Sequence, residues 1–320
     1  MEPAALKAVL QCFINGLLAT IRGPLNLFQL EAANEIPKPP PPPRERTVLQ
    51  MRREKEGKFQ PPKEEPPPPE KPKPITRCVS CAAINIGFAV LMTQLVEPLF
   101  AYFFSFLPSG FNIIGSIMPA LAMLPIYIAT RLINVFVFSD VANACIRRTN
   151  RAEAIPMPSI SIAAADFMSS ILLELFFLLQ IALMQYLPFP GIAFLAVFVH
   201  MSLLNALYSF EYLWMSNGVR FKRRLDKIES LWPFFLGFGT PLTALTLCSE
   251  NPLIQGCIFG SLFPLFIIAS HSVEFSPAWI NSVLPYIPKF RIFLPCLLIT
   301  DKLSIYISEK LTGQHSRRSP

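Results

Sequence analysis

Long apolar runs set in pairs constrain this chain more than any motif in it. From residue 78 onward they occupy 82–107 and 111–138, then 160–187 and 191–215, then 233–248 and 253–272, with a seventh at 283–300. The paired runs meet at Pro108-Ser109-Gly110, at Pro188-Phe189-Pro190 and around Glu250-Asn251-Pro252, turns with almost no charge. A spanning helix needs about 20 apolar residues, so the first four runs are long enough to cross a bilayer. The 233–248 run is short and is interrupted by Gly237, Gly239 and Pro241, which predicts partial entry with its backbone covered by protein. Only 15% of the chain is charged and its mean hydropathy is +0.44, against about 25% charged residues in a soluble domain. The expected fold is an all-α polytopic membrane protein with three helical hairpins, some only partly penetrating the membrane. A soluble enzyme or a nucleic-acid binder is excluded.

The first 77 residues differ in kind. Over 4–22, Leu6, Val9, Leu10, Phe13, Ile14, Leu17, Leu18 and Ile21 recur at three- and four-residue spacing, with Lys7, Gln11 and Asn15 mostly off that stripe. This predicts an N-terminal amphipathic helix within 1–36, ended by Gly23-Pro24. It suits either an anchor in the membrane plane or a helix docked on the rest of the protein. Residues 37–77 read as a disordered, proline-rich linker holding 11 of the 28 Lys and Arg and 6 of the 21 Asp and Glu. Its proline runs, Pro39 to Pro43 and Pro66 to Pro69, favour extended polyproline II and cannot build a core. Pro39-x-x-Pro42-x-Arg44 and Pro66-x-x-Pro69-x-Lys71 match a loose SH3-ligand pattern that any such stretch meets by chance. The membrane domain is placed at 78–306 and a polar tail at 307–320.

Basic residues sort to one set of loops. They fill the linker, Arg147-Arg148-x-x-Arg151, the stretch Arg220, Lys222, Arg223, Arg224 and Lys227, and the tail with Lys302, Lys310, Arg317 and Arg318. By the positive-inside rule these segments and the N-terminus are cytosolic. The partners expected from this pattern are the bilayer itself and anionic lipid at its cytosolic face. A net charge of +7 suggests no nucleic acid here, because no basic run is interleaved with exposed aromatics.

Catalytic and metal chemistry find no footing. The three histidines are far apart, and neither Gly-x-Ser-x-Gly nor a phosphate-cradling Gly-Lys-Ser loop occurs. Cys78-x-x-Cys81 has zinc-like spacing without a second Cys or His pair, and the seven scattered cysteines form no disulfide framework. No enzyme activity, metal or cofactor is expected. Ionisable residues inside the apolar runs (Glu97, Arg131, Asp166, Glu174, His200, Glu211 and His271) are the places to look for function, each with a structural pairing as its plainer explanation.

One segment is more specific. His200-Met-Ser-Leu-Leu204, Tyr208-Ser-Phe-Glu-Tyr212, the basic stretch Arg223-Arg-Leu-Asp-Lys-Ile-Glu229, Trp232-Pro and Gly237-Phe-Gly239 follow one another in fixed order. Gly256-Cys-Ile-Phe259 and Leu262-Phe-Pro-Leu-Phe-Ile-Ile268 come next. Together they resemble the etoposide-induced endoplasmic-reticulum membrane protein family, which includes an invertebrate autophagy protein. The resemblance covers about 80–315, takes in Asn134 and Asp140, and is strongest over 200–270. More distantly, Phe210-Glu211-Tyr212, the basic helix and the Gly-Phe-Gly turn are similar to the bacterial CysZ sulfate-uptake proteins.

The resemblance implies a non-enzymatic endoplasmic-reticulum membrane protein required for autophagosome formation or maturation, with growth-suppressing or apoptotic associations and unidentified autophagy or endoplasmic-reticulum protein partners. The alternative is an anion channel or transporter of the sulfate-uptake type, lined by Arg131, Asn134 and the glycine-broken run, for which homo-oligomerisation would be expected. Glu211 at a helix end could pair with Arg220 or Arg224 and fix the loop, or bind an ion. Gly237 and Gly239 would allow close helix approach.

Overall fold

A computed structural model describes residues 3–35, 74–105, 130, 132–146, 160–303 and 305, and among these there is no strand. The helices are α1 (Pro3–Glu35), α2 (Pro74–Val90), α3 (Glu97–Ser105), α4 (Leu132–Ile146), α5 (Ile160–Met184), α6 (Pro190–Ser216), α7 (Phe221–Ser230), α8 (Trp232–Thr246), α9 (Pro252–Ser272) and α10 (Pro277–Val283). A π-helical turn, Leu91–Val96, joins α2 to α3 without a break in direction of the chain's winding. A further helix, α11, covers 294–303. Four segments among the described residues are long and apolar enough to cross a membrane: Ala4–Gly23, Thr76–Leu99, Pro190–Ser216 and Pro252–Ser272. The protein is an all-α polytopic membrane protein. Residues 37–73 of the linker with its SH3-like matches, the turn at 108–110, Arg131, the Arg147 to Arg151 loop, the Asp166 side chain and the tail lie outside the described residues. The last four residues expected in the linker, 74–77, instead form the first turn of α2.

The two later hairpins form as their turn residues dictate. Pro190 opens α6 at its first position, where its missing N–H costs nothing. Asn251 caps α9, its Oδ1 accepting from the Leu253 N–H at 2.9 Å, with Pro252 at the first helical position. Between α6 and α7 the chain reverses through Gly218 at φ 63°. The Val219 N–H bonds to Trp214 O at 2.9 Å and the Gly218 N–H to Met215 O at 3.0 Å, the paired bonds of a Schellman cap. That reversal folds the basic helix α7 back against the ends of α5, α6 and α8.

α8 is the hub. It touches α1, α6, α7 and α9, and Phe235, Gly237, Phe238, Gly239 and Leu242 are all buried. With 15 residues at about 1.5 Å each, it is shorter than the roughly 30 Å hydrocarbon core. It runs unbroken through Gly237, Gly239 and Pro241, so the interruption expected there is absent. The two glycines serve contact instead of breaking the helix.

One expectation needs correction, and two points left open are filled in. α1 does not end at Gly23-Pro24 but continues to Glu35, a proline within a helix costing one backbone bond that surrounding protein can offset. Of the two settings left open for it, α1 is docked on the bundle, with small residues at the contact and only Val9, Phe13 and Leu17 of the apolar stripe half-buried. Cys12, Gly16, Thr20 and Gly23 are buried on the bundle, whereas Leu6, Leu10, Ile14, Leu18 and Ile21 point outward. Small residues let backbones approach, and large apolar ones are at ease against lipid. Finally, the seventh apolar stretch at 283–300 is not one helix: it comprises the end of α10, a 3-10 turn at Leu284–Tyr286, irregular chain through Lys289 and Arg291, and the start of α11.

Candidate functional site at the junction of α5, α6 and α7

The Schellman turn after α6 brings α7 back so that Arg224 faces Glu211. Arg224 Nη1 donates to Glu211 Oε1 at 2.8 Å, and Arg224 Nε donates to Val219 O at 2.8 Å. One guanidinium therefore ties α6, the turn and α7 together. Both side chains are largely buried, at 9% and 17% exposure. Of the two partners expected for Glu211, the structure selects Arg224; Arg220 is exposed. From α5, Ser170 Oγ lies 3.1 Å from the same Glu211 Oε1 and 3.2 Å from Glu174 Oε1. The Tyr208 hydroxyl of α6 also bonds to the Glu174 carboxyl. Two acids, one base and two hydroxyls thus converge from three helices.

Aromatic packing holds this corner rigid. Phe210 is fully buried with ring centroids 5.3 Å from Trp214, 5.2 Å from Phe235 and 4.8 Å from Phe238. The contacts to Phe235 and Phe238 are edge-to-face and add about 1 kcal/mol each beyond burial. Lys227 Nζ stands 5.5 Å over the Trp214 ring. Tyr212 is half-buried beside Glu211. On the far side of α7, Glu229 Oε1 accepts from the Phe293 N–H at 3.1 Å and Glu229 O from the Phe290 N–H, pinning the irregular 287–293 chain. Burial pushes the Glu229 carboxyl above the usual carboxylate range, opposed by the Phe293 N–H and Lys289. Lys289 pairs with Asp226.

The expected glycine residues sit at backbone contacts. A Cβ on Gly237 would lie 2.0 Å from Phe13 O, and one on Gly16 would lie 2.0 Å from Phe234 O. α1 and α8 therefore cross with each glycine against the carbonyl three residues before the other. Gly239 meets α6 in the same way, at Ser202 O. Nearby, Asn205 Nδ2 donates to Thr243 Oγ1 at 2.8 Å. Pro241 is half-buried within α8 and joins no polar cluster.

Asn134 and Asp140 lie elsewhere, on α4. Asn134 and Asn85 of α2 exchange amide bonds, Asn85 Nδ2 to Asn134 Oδ1 at 2.9 Å and Asn134 Nδ2 to Asn85 Oδ1 at 3.0 Å. Cys81 Sγ donates to Gly260 O of α9 at 3.2 Å. Gly260 faces both amides, and a Cβ there would come within 2.4 Å of Asn85 Oδ1. Asn134 thus ties α4 to α2. Replacing Asn134 with Leu is expected to strand the buried Asn85 amide and lower stability by about 2 kcal/mol, while Asn85→Leu with Asn134→Leu recovers part of that loss; unfolding of the purified protein in mixed micelles measures both. Asp140 forms an ion pair with Arg77 at 3.2 Å, half exposed and so worth under about 1 kcal/mol.

Among the other ionisable candidates, Glu97 is exposed at the start of α3. His200 bonds Gln180 Nε2 through Nε2 at 2.9 Å and Ala196 O through Nδ1 at 2.6 Å, which places the ring proton on Nδ1. Sequence reasoning missed Ser170, Asn85, Gly260 and Gly16. Cys81-x-x-x-Asn85 and Cys12-x-x-x-Gly16-x-x-x-Thr20 were available signals, small or polar residues four apart on one helix face. A cavity of about 280 Å³ between α1, α8 and α9 is lined by Arg22, Phe234, Glu274 and Trp279 among others, none of them part of the motifs above.

Comparison with known proteins places these residues in context. The family described as sulfate transporter CysZ/etoposide-induced protein 2.4 matches residues 71–249. Ectopic P granules protein 4 of Caenorhabditis elegans is 37% identical over 227 residues, 70% of this chain and 69% of that protein. The EI24 homolog of Arabidopsis thaliana is 33% identical over 40% of this chain and 39% of its own length. That of Dictyostelium discoideum is 25% identical over 73% and 77%. No solved structure matches.

Proposed function

We propose a function on one premise: the chain belongs to the sulfate transporter CysZ/etoposide-induced protein 2.4 family. It acts as a non-enzymatic membrane protein of the endoplasmic reticulum that is required for autophagosome formation or maturation. The observation that carries this reading is the 37% identity with the nematode protein over 70% of the chain.

A physical role suits the geometry. α7 buries Phe221, Leu225 and Ile228, and Arg220 just before it and Arg223 within it are exposed, while Lys222 pairs with Asp301 at 2.9 Å. Placed at the cytosolic surface, the two arginines present positive charge to anionic lipid, each contributing about 1 kcal/mol. The proline-rich linker would extend from the same face to meet protein partners.

Removal of the protein from cells is expected to lower autophagic turnover and leave unclosed autophagosomes. Wild type should restore both, and Arg220→Glu with Arg223→Glu only in part. Normal turnover and closure after removal would sink the reading.

The anion-transport reading has less support. Gly237 and Gly239 of its supposed lining are pressed against α1 and α6, and Asn134 is engaged with Asn85.

A further inference from the structure

We propose that Glu174 is a proton-binding site, its carboxyl carrying an exchangeable proton that completes a directed hydrogen-bond chain across α5, α6 and α7. The argument begins with Ser170. Its hydroxyl has one proton, yet Oγ sits at bonding distance from two carboxyl oxygens, 3.1 Å from Glu211 Oε1 and 3.2 Å from Glu174 Oε1. With both acids ionised, one of these contacts would be two acceptors facing each other. A proton on Glu174 removes the conflict.

Each donor then has one acceptor. The Tyr208 hydroxyl donates to the Glu174 carboxyl, the Glu174 O–H donates to Ser170 Oγ, and Ser170 donates to Glu211 Oε1, which also accepts from Arg224. The charge count points the same way. Glu211 and Arg224 neutralise each other, so an ionised Glu174 would be a surplus negative charge beside them. Ser170 is buried and Glu174 half-buried, where an uncompensated charge is costly.

The proton belongs on Glu174 and not on Glu211, because only Glu211 has the guanidinium. The groups facing Glu174 are Tyr208 and Glu211 from α6 and Arg224 from α7, with Ser170 on its own helix. Of these, Glu211 and Arg224 form the fixed ion pair. Release of the proton would leave two carboxylates sharing one cation and would loosen α5 from the corner that Arg224 holds. The site is independent of the proposed role in autophagy.

Infrared spectroscopy of the full chain in lipid nanodiscs tests this directly. The wild-type spectrum minus that of Glu174→Gln should show a protonated-carboxyl stretch at neutral pH that is lost on alkalinisation, with carboxylate bands growing in its place. Glu211→Gln leaves Arg224 facing Glu174, which should then ionise, so the protonated band should be lost in that variant at neutral pH. Carboxylate bands alone in the Glu174 difference at neutral pH would overturn the proposal, as would a protonated band that persists unchanged in Glu174→Gln. Glu174→Asp serves if the Gln variant fails to assemble: the protonated band should persist with altered position, and its survival unchanged would mean that it arises elsewhere.

Discussion

Gly239→Ala is expected to disrupt assembly of the bundle, while Gly87→Ala leaves it intact or slightly firmer. The added Cβ at 239 would sit 1.8 Å from Ser202 O and 2.7 Å from Ser202 C, both backbone atoms of α6 that no rotamer change can move. α6 and α8 would have to separate. The same motion would stretch the 2.8 Å bond from Asn205 to Thr243 and open the Phe210–Phe238 contact. Overpacking of a tight core costs about 3 kcal/mol, and here several contacts yield together. At Gly87, by contrast, a Cβ meets nothing within 4 Å. Alanine there should add about 1 kcal/mol through helix propensity alone. Folded yield and denaturant midpoints in mixed micelles read both. Equal tolerance of the two alanines would show that the α6–α8 contact is looser than its geometry.

That contrast also shows what could be read from residues. The two later hairpins were legible because their turns are local chemistry: Pro188 to Pro190 and Asn251-Pro252 fix the backbone whatever surrounds them. Gly237 and Gly239 could be read as points of close approach, but their partners, Phe13 and Ser202, lie too far along the chain for any spacing to reveal. The setting of α1 stayed open for a physical reason. A stripe of Leu and Ile marks the buried face in water, whereas beside lipid that stripe has no need of protein, and Cys12, Gly16 and Thr20 make the contact. At 283–300 the apolar average hid Pro285, Pro288, Lys289 and Arg291, which break the helix where Glu229 captures the chain. The pairing of Glu211 was offered as a choice, and only the turn at Gly218 decides it, by aiming Arg224 and not Arg220 inward.

Arg224→Ala should be the more damaging half of the Glu211–Arg224 pair. Removing the guanidinium breaks the bond to Glu211, frees Val219 O, and leaves Glu211 beside Glu174 without a cation. Breaking a buried pair from one side costs about 3 to 5 kcal/mol. Glu211→Ala removes one of the two acids and leaves Arg224 its bond to Val219 and a neighbouring carboxyl, so its cost should fall toward the lower figure. The double variant Glu211→Gln with Arg224→Met removes both charges while keeping side-chain volume. It should be more stable than Arg224→Ala, with a coupling of about 2 kcal/mol in a double-mutant cycle. Autophagic turnover in cells lacking the protein separates the two roles of the motif. A folded double variant that restores turnover assigns the pair to architecture, and one that folds but fails assigns it to function. Additive costs in the cycle would instead mean that the two side chains do not depend on each other.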